Sequence, residues 1–224
     1  MTLHQQGRLE QEQLLNESVL RADPSNADAC HLPGLISLQH QEFETFESRI
    51  GEAIKLNPGN PTYYVNHGIA LIQSKLEAGI ALHVDGNFSQ AQLVYEEILA
   101  QQPQHYDALH LLGVLAMQAG DLERAVDFFG KAIAIHPNNF GFYINQGNAL
   151  KGLVRLDAAL ASFDKAIALN PEVPDIYVMR GEVLQELFQF DAAIASFDQA
   201  IAINPGFHAA QEARALVLRL HDQK

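Results

Sequence analysis

Small, aromatic and aliphatic residues recur along the second half of the chain with two superposed periods. Within each stretch of a dozen residues they fall at spacings of three and four, the pattern of an amphipathic helix. Across stretches they recur at one constant interval, from Gly113 to Gly147 to Gly181, and from Phe129 to Phe163 to Phe197. Ala125, Ala159 and Ala193 obey the same shift, as do Ala132, Ala166 and Ala200 with Ile133, Ile167 and Ile201 one place on. A fixed period of this length predicts stacked helix pairs, each burying its apolar face only against its neighbours. Glycine and alanine then mark close helix approach, and phenylalanine fills the space between. The pattern predicts helices over 107–119 and 122–135, repeated one and two intervals further on. Pro137, Pro171 and Pro205 end each second helix at His136, Asn170 and Asn204, because the residue before proline is driven out of the helical region.

Walking backwards, the proline column continues at Pro103, Pro58 and Pro24, and the glycine column at Gly79, Gly68 and Gly34. Both columns contain one irregular step, and the glycines place the inserted segment between Gly68 and Gly79. Since the insertion amounts to about three turns at 3.6 residues each, it can lengthen a helix without rotating its faces. The expectation is one long helix from Pro61 to about Val84 with Asn60 as N-cap, a break near Gly79 being the competing reading. Pro33 falls mid-helix in its repeat, so that helix is expected to begin at Pro33 with 27–32 extended. Gly86 and Gly120 suit the left-handed residue that closes a first helix. Val154 and Phe188 hold the matching places later, so those turns are expected to close differently. The resulting division is a degenerate partial repeat at 1–26, an irregular repeat at 27–60, an extended one at 61–105, and regular ones at 106–139, 140–173 and 174–207. A terminal helix within 208–224 covers the last repeat with Ala209, Ala213, Leu216, Leu218 and Leu220.

The columns resemble the tetratricopeptide repeat: an aromatic or Leu (Leu109, Tyr143, Tyr177), the close-contact glycine, a Leu or Ala one turn on (Ala116, Leu150, Leu184), then the A…F…A…P run. The stretch "NQGNALKGLVRLDAALASFDKAIALNP" carries nearly all of it, and similar arrays occur in bacterial repeat proteins and in O-linked N-acetylglucosamine transferases. The resemblance implies an all-α, right-handed superhelix (α-solenoid) of antiparallel helix pairs, with a concave groove lined by the first helices. It also implies a scaffold that binds proteins or peptides.

Charge and composition narrow the partners. With 27 acidic against 14 basic residues and a net charge of −13, the chain is unsuited to nucleic acid or an anionic membrane. Hydrophobic residues at 48% suffice for a continuous core. Cys30 stands alone, so no intrachain disulfide forms. Neither a signal peptide nor an apolar run of about 20 residues is visible, so a cytoplasmic protein without membrane insertion is expected.

No motif assembles a reaction. The ten histidines lack the i, i+3 or i, i+4 pairing with His or Cys that a helix would use to hold a metal. Phosphate-binding glycine loops and G-x-S-x-G are absent. No catalytic residue, metal site or cofactor is therefore expected. Candidate binding residues come from the helical stripe facing the groove: Asp107, His110, Val114 and Met117; Gly141, Ile144, Asn148 and Lys151; Asp175, Val178, Glu182 and Gln185. The same residues are also what remains once packing is satisfied, so an empty groove is the competing reading. Asn145 and Asn148 suit a peptide backbone, because an amide donates and accepts at once. In the transferase arrays asparagines form a ladder along the groove. Here Asn66 and Asn145 hold the ladder column, while Leu111 and Met179 replace it elsewhere. Lys151 is the one cation on the stripe, which argues against a clamp for a peptide carboxylate. Leu35, Leu38, Val65, Ile69 and Ile72 make the N-terminal groove more apolar. Two alternatives stand beside the scaffold. One is the targeting arm of a glycosyltransferase- or methyltransferase-type enzyme. The other is a self-assembling homo-oligomer joined through the irregular N-terminal end, with Glu12, Asn16, Leu35 and Leu38 as candidates.

Overall fold

The structure, a computed structural model, describes Leu15, residues 18–39 and residues 42–221. Glu12 and Asn16 lie outside the described residues. The helices in chain order are α1 (Ala27–Gln39), α2 (Phe43–Leu56), α3 (Pro61–Val84), α4 (Phe88–Gln101), α5 (Tyr106–Gln118) and α6 (Leu122–Ile135). They continue with α7 (Phe140–Gly152), α8 (Leu156–Leu169), α9 (Pro174–Glu186), α10 (Phe190–Ile203) and α11 (His208–His221). Two compact units divide the chain, residues 1–94 and 95–224.

In the first unit, α1 and α2 pack as a pair and α3 closes on them, burying Cys30, Phe46, Ile50, Ala53, Tyr63 and Ala70 in one core. The helix α3 runs unbroken through Gly68 and Gly79, with Asn60 Oδ1 accepting from Thr62 N at 3.0 Å and Pro61 at its first position. Against the sequence expectation, α1 does not wait for Pro33 but begins at Ala27. Asn26 caps it, its Oδ1 accepting from Ala29 N at 2.9 Å. The lost backbone bond and ring clash cost about 3 kcal/mol. They are offset by burial of Ala29, Cys30 and His31 in the same turns.

The second unit stacks α5/α6, α7/α8 and α9/α10 as antiparallel pairs and ends on α11. Each pair meets at one glycine and one phenylalanine. Phe129, Phe163 and Phe197 are fully buried, and a Cβ added to Gly113, Gly147 or Gly181 would lie 2.5–2.7 Å from the facing ring. On α11 the sequence pattern caught the covering stripe only in part, at Ala213. Ala210 and Val217 are fully buried, whereas Leu216 and Leu220 stay exposed. The pair at i and i+7 faces α10, and the leucines lie off that line.

The turns after α7 and α9 correct a second expectation. Val154 and Phe188 adopt φ 57, the same left-handed conformation that Gly86 and Gly120 adopt at 79 and 80. The closing bonds are the same too. Gly120 N donates to Met117 O and Asp121 N to Ala116 O, while Val154 N donates to Lys151 O and Arg155 N to Leu150 O. The helix-terminal bonding thus imposes the left-handed residue whatever its side chain. For a β-branched residue this is strained by roughly 1–2 kcal/mol. Val154→Gly is therefore expected to raise the unfolding free energy by about 1 kcal/mol, net of the extra chain entropy of glycine. Thermal unfolding followed by circular dichroism checks this. A Val154→Ala variant, still bearing a Cβ, should show no such gain, and equal stabilisation by both would refute the strain.

Candidate functional site

The first helices of the second unit, α5, α7 and α9, present the stripe singled out in the sequence. Asp107, His110, Val114 and Met117 are half-buried along α5, Ile144, Asn145, Asn148 and Lys151 along α7, and Glu182 and Gln185 on α9. Partial exposure at every one of these positions separates them from the core columns beneath. Asp175 is exposed in the first turn of α9. Val178, counted with the stripe, instead belongs to the core beside Leu184 and Phe197. In the first unit Val65 and Ile69 are exposed but Ile72 is buried, so the apolar lining is interrupted. Leu35 and Leu38 lie in α1, their side chains outside the described set.

Asn145 is not a free amide. Its Nδ2 lies 2.7 Å from His110 Nε2. An amide nitrogen donates, so the ring nitrogen accepts and the imidazole is neutral with its proton on Nδ1. Burial pushes the His110 pKa down, which favours that state. The ring is held between aromatics, 4.8 Å from Phe142 and 5.6 Å from Phe129 by centroids. Asn66 repeats the arrangement in the first unit, with Nδ2 2.8 Å from His31 Nε2. The His31 pKa is also lowered, by burial against the opposing charge of Asp28. Both ladder-column asparagines therefore spend a donor on a histidine of the preceding helix pair.

Lys151 is likewise engaged. Its Nζ lies 2.5 Å from Glu182 and 3.8 Å from Glu186, so the cation of the stripe is neutralised across α7 and α9. Such an arrangement offers nothing to a peptide carboxylate. Asp107 differs: burial pushes its carboxyl pKa up, opposed only through space by His105 and His136. No group of three or more His, Cys, Asp or Glu among the described residues could hold a metal ion. Cys30 is buried, and burial, with Glu52 adding and Arg49 opposing, pushes its thiol pKa up. That is the reverse of an activated nucleophile. No described helix is long and apolar enough to cross a membrane.

Sequence reasoning missed the partners of these residues. His31, Asp28, Phe142 and Glu186 entered no candidate set. Neither did the polar rungs on the second unit, where Arg180 binds Asp164 at 2.6 Å and Ser196 at 2.7 Å, and Ser162 donates to Gln146 at 3.2 Å. A signal existed, since these pairs join columns that are themselves periodic. Arg180–Asp164 becomes Arg214–Asp198 one repeat further on.

The family model for the tetratricopeptide repeat matches residues 76–140 and 144–206, more than half of the chain. The chain belongs to the tetratricopeptide repeat family. Tetratricopeptide repeat protein 36 of Mus musculus is 42% identical over 65 residues, covering 29% of this chain and 30% of its own. The chain spans less than half the length of the curated relatives it matches. Among solved structures, MamA superposes with a TM-score of 0.62 at 26% identity, over 64% of this chain and 84% of that one. YrrB, described as a tetratricopeptide repeat protein with an unusual peptide-binding site, superposes at 0.57 with 18% identity, over 89% of this chain and 97% of its own. The all-α solenoid of stacked helix pairs is thus the tetratricopeptide repeat fold.

Proposed function

We propose that this chain is a non-catalytic protein-interaction scaffold, whose second unit takes a peptide or helix of a partner protein along α5, α7 and α9. The observation that carries the reading is the set of half-exposed residues along α5 and α7, joined on α9 by Glu182 and Gln185, which the phenylalanine-centred core does not bury. It mixes apolar contact at Val114, Met117 and Ile144 with amide and carboxylate groups, as recognition of a backbone and its side chains requires. YrrB, which shares the fold, is described by its peptide-binding site.

The test is capture of partners from native lysate by the full chain and by an Asn148→Ala/Lys151→Ala variant. Binding is expected to weaken while the melting transition stays nearly in place. The Lys151 ion pairs are partly exposed, so their loss, like most surface changes, should cost no more than about 0.5–1 kcal/mol. Unchanged binding of the captured partner would move the site off this face.

A further inference from the structure

Asp107 belongs to an arrangement that the chain spells twice. The shift that lays Asp28 on Asp107 also lays His31 on His110, Tyr63 on Phe142 and Asn66 on Asn145. In the first unit all four residues close on one another. Tyr63 Oη donates to Asp28 Oδ1 at 2.5 Å, Asn66 bonds His31, and the His31 and Tyr63 rings lie 4.7 Å apart. The second unit keeps the asparagine–histidine bond and the ring packing. It lacks the third relation, because Phe142 has no hydroxyl to offer. Asp107 sits half-buried, one turn before His110, and among the described residues no side chain donates a hydrogen bond to it.

A carboxylate withdrawn from water without a donor is unfavourable, and a ligand that brings one relieves that cost. The internal counterpart shows what the position accepts: a donor group arriving beside the ring of the next first helix. Charge selects among donors. The whole chain carries −13, and among the described residues no lysine or arginine pairs with Asp107. A cation answers both the missing hydrogen bond and the excess of negative charge, whereas a neutral hydroxyl answers only the first.

Resting on the scaffold reading above, we propose that Asp107, with His110, Phe142 and Asn145 around it, is a subsite for a cationic side chain of the bound segment. That side chain takes beside Asp107 the place that the Tyr63 hydroxyl takes beside Asp28. Phe142, buried with Leu109 and Ala132, backs that position from below, and the neutral His110 adds no repulsion, His105 and His136 being the other imidazoles that act on Asp107.

The test uses the full chain, isotopically labelled, titrated with the pentapeptide Ac-Ala-Ala-Arg-Ala-Ala-NH2 and with its twin carrying norleucine at the centre. Amide shifts along α5, α7 and α9 with both peptides report groove binding. The ratio of the two affinities reports the subsite. The arginine peptide is expected to bind about tenfold tighter or more, the scale of one charge-assisted hydrogen bond. Asp107→Asn should abolish that advantage. Phe142→Tyr should also abolish it, by supplying the hydroxyl from within, and should leave the melting temperature equal or higher. Asp28→Asn should leave the advantage intact. Equal affinity of the two peptides in the wild type would overturn the subsite while leaving the groove standing. So would an arginine preference that survives Asp107→Asn. Absence of shifts along α5, α7 and α9 with either peptide would overturn both.

Discussion

Replacing Phe163 by alanine is expected to lower the unfolding free energy of the second unit by about 3–5 kcal/mol. The ring is fully buried and shares one core with Leu150, Ala159, Ala166, Ile176 and Val183. That core also reaches the next pair, since Ile176 and Val183 come from α9. Truncation therefore removes transfer free energy and weakens the coupling between neighbouring pairs, on which a solenoid depends. Collapse of the cavity is hindered because Gly147 and Ala159 are too small to reach into it. Urea unfolding followed by circular dichroism measures the change. A loss under about 1 kcal/mol would mean that the ring is not the wedge described.

Gly147→Ala sets two effects of opposite sign against each other. Alanine in place of glycine favours an exposed helix interior by about 1 kcal/mol. Here the new Cβ would lie 2.7 Å from Phe163 Cε1 and 2.9 Å from Cζ, inside any normal contact. Because the ring is buried on all sides it cannot swing away, and overpacking of this kind costs about 1–3 kcal/mol or more. The clash outweighs the propensity, so net destabilisation of about 1–2 kcal/mol is expected. Gly68 supplies the contrast, since a Cβ there meets nothing within 4 Å. Alanine at Gly68 should stabilise, and alanine at Gly147 should cost less in a Phe163→Leu background. Stabilisation by Gly147→Ala in the wild type would show that the two helices do not approach as closely as described.

These two effects explain why so much of the fold is legible in the sequence. Gly147 and Phe163 form one lock, and the lock recurs as Gly113–Phe129 and Gly181–Phe197. A residue forced by close packing in one repeat is forced at the same place in the next, so packing appears as a visible period. The departures were harder to read. Pro33 within α1 and Val154 and Phe188 in the left-handed region each contradict a local preference. In each case burial or helix-end bonding, worth more than the preference, decided the outcome.

The candidate site was legible only in part. The positions of Asp107, His110, Asn145, Asn148, Lys151, Glu182 and Gln185 follow from helical spacing, and the structure leaves all of them half-buried. What each side chain has left to offer does not follow from spacing. Asn145 is committed to His110 and Lys151 to Glu182 and Glu186, whereas Asp107 has no such partner among the described residues.

By itself, the sequence determined the helix pairs, their stacking order and the family, because those rest on repeated short-range spacings and on contacts between neighbouring repeats. The tertiary structure alone decided which polar groups satisfy one another. That depends on angstrom-scale distances between side chains far apart in the chain, such as Lys151–Glu182 and His110–Asn145. Hydrogen bonds weaken steeply beyond about 3.5 Å, and no periodicity of residue types carries that precision.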